Sequence, residues 1–133
     1  MPSSEENNNL EIYQQRYETW RHLDALRWHL MQVGVSAAVA LFTFASVIAS
    51  PWFWASVCGV GFVLILTAIA MHRVGDAIMG NGKVLREFGA KIGDKNIPLS
   101  KNRGVAFYIA IAMGLTGAVS VITSVCNFFH TIN

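Results

Sequence analysis

His29, Gln32, Ser36, Thr43, Ser46 and Ser50 follow one another at intervals of three, four or seven residues, with Val39 in the remaining place of the series. On a helix that spacing gathers them on one face. A row of hydroxyls and a carboxamide carries no nucleophilic or acid–base chemistry; it exchanges hydrogen bonds with water or with a neighbouring helix. Two readings follow. In the first, the hydroxyls bond locally or across a helix pair, each for about 1 kcal/mol or less. In the second, copies of the stripe surround an aqueous path, which makes Gln32, Ser36, Val39, Thr43, Ser46 and Ser50 pore-lining and puts Phe42 or Phe44 near a constriction.

A second set of residues could bind anions. Arg73, Lys83, Arg86, Lys91, Lys95, Lys101 and Arg103 share one stretch with only Asp76, Glu87 and Asp94, and Arg16, Arg21 and Arg27 lie near the N-terminus. Such a stretch either contacts anionic lipid head groups, at roughly 1 kcal/mol per basic residue, or holds a phosphate-bearing ligand, for which Arg16, Arg21, Arg27, Arg73, Lys83, Arg86, Lys91 and Lys95 are the candidates. Gly80-Asn81-Gly82-Lys83 offers backbone N–H groups beside a lysine but lacks the spacing and the Lys-Ser/Thr ending of a P-loop.

Other chemistry finds no foothold. His22 and His29 are seven residues apart, too far for the four-residue pair that chelates a metal on a helix, and Cys58 and Cys126 each read as a small apolar residue in an apolar run. No Ser-His-Asp, Cys-His or paired-carboxylate arrangement is recognisable. The expectation is a protein that is not an enzyme and needs neither metal nor cofactor.

The elements that would carry these residues follow from the charges. The 10 basic and 8 acidic residues fall in two blocks, Glu5 to Arg27 and Arg73 to Arg103, leaving Trp28 to His72 and Gly104 to Asn133 without formal charge. Apolar runs of that length cannot be hidden within 14.6 kDa, but they match the roughly 20 apolar residues that a helix needs to cross a hydrocarbon core about 30 Å thick. Ser50-Pro51 divides the first run, because proline does not continue a helix smoothly. The expected fold class is therefore an all-α integral membrane protein with three transmembrane helices. The lack of an ionisable group in the spans argues against an ion-coupled transporter.

Seven segments result. Residues 1–8 read as a mobile polar tail and 9–29 as an amphipathic helix, with Leu10, Tyr13, Tyr17 and Trp20 on one stripe, that continues into the first span at 30–49. The second span covers 52–71. Residues 72–104 read as a basic loop holding a short amphipathic helix, striped by Val84, Leu85, Phe88 and Ile92. The third span covers 105–129, with Ala106, Ala110, Met113, Gly117, Ser120 and Ser124 as a packing stripe, and 130–133 form a tail. With three spans, all ten basic residues lie on one side, which puts the N-terminus in the cytoplasm and the C-terminus outside.

The order of a polar helix carrying Tyr17-Glu18-Thr19-Trp20-Arg21-His22-Leu23-Asp24, a helical hairpin, a basic loop and a last span rich in small residues resembles the small multi-span membrane effectors of bacterial anti-phage defence systems. SLATT-like proteins and Hailong-type effectors are the nearest comparisons. The resemblance implies a bacterial inner-membrane protein that forms a membrane-depolarising pore, gated by a cytoplasmic nucleotide or oligonucleotide from a companion nucleotidyltransferase. The residues themselves point to a closed homo-oligomer in the bilayer, a tetramer being the expected form. Two alternatives stand beside this reading: a non-conducting interaction subunit that recruits a soluble partner, and a holin-like lysis protein. The expected topology is testable: a reporter fused after Asn133 is extracytoplasmic and one inserted near Gly82 is cytoplasmic, whereas a cytoplasmic C-terminus removes the three-span arrangement.

Overall fold

Hydrocarbon offers no hydrogen-bonding partner, so a chain that crosses it must satisfy its backbone internally. The computed structural model, which describes residues 4–48, 52–94 and 104–132, meets this demand with helix alone: α1 (Ser4–Ala45), α2 (Trp52–Lys91) and α3 (Val105–Ile132). All three are long and apolar enough to cross a membrane. At 1.5 Å per residue they extend about 63, 60 and 42 Å. The chain is an all-helical membrane protein, as the charge-free runs imply.

Four boundaries differ from expectation, the simplest being α3, which runs on to Ile132 through the stretch expected as a tail from 130. The stretch expected as a basic loop is helix as far as Lys91, continuous with the second span, so α1 and α2 each have an apolar half and a charged half. The reason is visible at the end of α2. Gly93 adopts a left-handed conformation, φ 76°, the Asp94 N–H donates back to the Gly89 carbonyl at 2.9 Å and the Ile92 N–H to Phe88 at 3.1 Å. This is a Schellman termination, and it places the helix stop at Gly93, well past the glycines at 75, 80 and 82. The tail expected over 1–8 is likewise helical from Ser4. At its other end α1 stops before 49. Val47 and Ile48 donate to carbonyls only three residues back, a tightened last turn. The bend expected at Ser50-Pro51 lies outside the described residues.

The helices are antiparallel neighbours in chain order. α1 packs along α2 and α3 packs along α2, while α1 and α3 make no close backbone approach among the described residues. α2 is therefore the middle of the three. The short amphipathic stripe at Val84, Leu85, Phe88 and Ile92 is real, but it belongs to α2, with Leu85 fully buried, rather than to a separate helix lying on a membrane. On α1, Tyr13, Tyr17 and Trp20 stack on one another at 6.4 and 6.1 Å and are half-buried.

In the apolar halves the contacts are made by small residues. A Cβ on Gly34 would collide with the Thr67 side chain, and one on Gly117 would stand 2.6 Å from the Gly61 carbonyl oxygen. Ala68, Met71, Ala106, Ala110 and Met113 form the apolar core between α2 and α3, with Leu30 and Met31 of α1 packed against it. The expected packing stripe on α3 is thus the side seated on α2. Such contacts suit a bilayer, where close backbone approach and dispersion replace the hydrophobic drive that assembles helices in water.

Gly61→Ala should lower stability by about 1–3 kcal/mol, because the added methyl meets backbone that cannot yield. Gly59→Ala, two residues away where a Cβ meets nothing within 4 Å, should be neutral or stabilising. Thermal unfolding of the two variants in detergent measures the difference, and equal midpoints would contradict the packing described.

Candidate functional site

α1 places the polar stripe through its helical period alone. Gln32, Ser36, Val39, Thr43 and Ser46 are all exposed, whereas Gly34, Ala38 and Ala45 on the opposite side are buried against α2. The stripe therefore faces away from α2 and α3 among the described residues. Its members differ in how they are satisfied. The Thr43 hydroxyl donates to the Val39 carbonyl at 2.9 Å and the Ser46 hydroxyl to the Thr43 carbonyl at 2.6 Å, local bonds that make a hydroxyl tolerable in hydrocarbon. Gln32 and Ser36 make no hydrogen bond among the described residues. Ser50 lies outside them.

The two aromatic gate candidates are separated by geometry. Phe42 and Phe44 are both exposed, but two residues on a helix turn through about 200°. They flank the stripe on different sides, so one lumen cannot be bordered by both.

The anion-binding candidates divide three ways. Arg27 is spent: its guanidinium pairs with Asp24 at 2.5 Å, its side chain is only 19% exposed, and it lies over the Trp28 ring at 5.8 Å. Arg16 donates to the Asn81 side-chain oxygen of α2 at 3.2 Å while staying exposed. Arg21, Arg73, Lys83, Arg86 and Lys91 are exposed, Lys91 resting its ammonium 5.0 Å from the centre of the Phe88 ring. Lys95 lies outside the described residues. No group of three or more potential metal-ligating side chains occurs among those described.

Continuity of α2 changes what these cations can touch. Lys83, Arg86 and Lys91 stand roughly 17 to 29 Å along the helix axis beyond His72, where the apolar half ends. Measured along the helix, that is about two to three and a half Debye lengths at physiological salt.

The charged halves are tied together at two points. Arg16 to Asn81 is one; the other is the Tyr13 hydroxyl, which donates to an Asp94 carboxylate oxygen at 2.7 Å. That bond, with burial and the carboxylate charge behind it, pushes the Tyr13 phenol up to about 12. These two side-chain ties, with the small-residue repeat of α2 discussed below, are what sequence reading missed.

No protein-family model, curated protein or solved structure matches this chain.

The raised value fixes the direction of a pH effect. The donating, protonated phenol is favoured in the folded protein, so the tie is complete below the ordinary tyrosine value near 10 and is lost as pH rises through about 12. Ultraviolet titration should show Tyr13 ionising later than an unhindered tyrosine, and Asp94→Ala should return it toward 10. Unchanged titration in that variant would dismiss the bond.

Proposed function

We propose that this protein is a homo-oligomeric membrane pore that depolarises the membrane in which it sits, gated by a soluble anionic signal of the nucleotide or oligonucleotide class. One observation carries the reading. In the apolar half of α1, Gln32 and Ser36 present unpartnered polar groups on the face turned away from α2. An unsatisfied carboxamide in hydrocarbon costs several kcal/mol. Water in a lumen, ringed by the same face of neighbouring copies, removes that cost.

The charged halves supply the gating side of the proposal. Assigned to the cytoplasm by the distribution of basic residues, Arg21, Lys83, Arg86 and Lys91 are exposed, and the distance of Lys83, Arg86 and Lys91 along the helix beyond His72 favours soluble anions as the partners their charge suits. Symmetric repetition around an axis would multiply that field, and binding through it weakens as salt rises. This end of the molecule is bonded to α1 through Arg16 and Tyr13, and α1 carries the polar stripe.

A second reading keeps one observation of its own. Paired helical arms that extend some 30 Å beyond the apolar halves would also suit a non-conducting subunit that recruits a soluble protein.

Conductance of the purified protein in a planar bilayer, with and without candidate nucleotides, separates the two. Current that responds to a nucleotide, and whose response is lost on charge reversal at Arg86 and Lys91, supports the pore. With Cys58 and Cys126 replaced, cysteine at Ser36 or Thr43 should react with charged thiol reagents and alter the current, while cysteine at buried Ala38 or Ala45 should stay silent. Absence of current with unreactive cysteines throughout would leave the recruiting subunit.

A further inference from the structure

Glycine inside a helix weakens it, and is usually retained where a side chain would collide with something. Gly34, Gly61 and Gly117 meet that condition, and Gly82 and Gly89 are buried in α2. Gly75 and Gly80 do not: a Cβ on either would find nothing within 4 Å among the described residues. They sit within one short stretch of α2, just beyond the point where support from α3 ends. The His72 ring lies tilted against Phe107 near the start of α3 at 5.9 Å, and past it α2 has only α1 beside it among the described helices.

The facing part of α1 is weak for a separate reason. Gly34 against Thr67 and Arg16 bonded to Asn81 set the antiparallel register, and between those two points lie Trp20 and Arg27. Trp20 Nε1 and Arg27 Nε are buried N–H donors with no partner among the described residues. A buried donor without an acceptor disfavours the closed state, since it could bond to water once the helices part. Helix propensity on one side of the seam and polar satisfaction on the other thus fail at the same level of the molecule.

We propose that residues 75–82 of α2 form a hinge at which the charged arm of α2 separates from α1, pivoting on the segment where α3 no longer braces it. The closed arm is held at its ends by Tyr13 to Asp94 and Arg16 to Asn81. Opening exposes Ile78, Leu85 and the Trp20 indole and leaves the apolar halves packed as they are. The hinge does not depend on conduction and stands or falls separately from the pore.

Gly75→Ala and Gly80→Ala test it cleanly, because both methyl groups enter open space and the closed state is undisturbed. Each should reduce the open population roughly fivefold, and the pair about twentyfold. In the full chain in lipid nanodiscs, hydrogen exchange at amides 76–84 should be faster than at 85–90, which the pivoting arm keeps helical, and should slow by that factor in the double variant. With Cys58 and Cys126 replaced, spin labels at Arg21 and Glu87 should report two separations, collapsing to the shorter one in the double variant. Exchange equally slow from 76 to 90, or a distance distribution that alanine does not alter, overturns the hinge.

Discussion

The structure depends on the close seating of α1 and α3 against α2, made possible where backbone meets backbone with no side chain between. In the apolar halves this occurs at Gly61 beside Gly117, while at Gly34 the bare glycine backbone receives the Thr67 side chain. Lipid tails compete with every ordinary apolar contact between helices, so only unusually short approaches give the protein an advantage over its solvent. α2 receives both neighbours, whose backbones make no close approach to each other among the described residues. Remove the seating on α2 and no other contact holds the three helices in one arrangement.

The same helix carries a pattern that unites its two halves. Gly61, Ala68, Gly75, Gly82 and Gly89 recur every seven residues, and Leu64, Met71, Ile78, Leu85 and Ile92 recur between them. Small and large positions alternating at an average of 3.5 residues keep one stripe of α2 in line over its whole length, although Gly75 itself meets nothing within 4 Å among the described residues. The pattern ignores the point at which charges begin. It accounts for the passage of α2 from apolar to charged surroundings without a break, and for the burial of Leu85 and Gly89 far from the apolar halves.

Legibility in the sequence followed the strength of the signal. Three apolar runs without a charged residue are difficult to satisfy in any other way, and the three long apolar helices were readable from them. The second helix's full length was not. Arg73, Asp76 and the glycines at 75, 80 and 82 carry the composition of a connecting loop, and a window tuned to hydropathy stops at His72, whereas the seven-residue repeat continues to Ile92. Side-chain ties such as Tyr13 to Asp94 join residues far apart in sequence and leave no local trace. The polar stripe on α1 was legible as a face, because the helical period alone gathers Gln32, Ser36, Thr43 and Ser46, but the side of the molecule it occupies depended on which other residues, Gly34 and Ala38 among them, were claimed by α2. Arg27 looked like any surface arginine until its pairing with Asp24 and its burial were seen.

The glycine contacts also restrict which motions the apolar halves can make. A slide of α1 along α2 by one turn, about 5.4 Å, would bring Leu30 or Ala38 to the place where Gly34 meets Thr67, and the same slide of α3 would bring Met113 or Val121 against Gly61. Each substitutes bulk for a gap that holds no side chain. Axial translation is thereby blocked at both seams, in both directions. The three apolar halves behave as one wedge whose remaining freedom is to tilt or turn as a unit, so a change of state within the membrane must be a rearrangement between wedges and not a reshuffling inside one.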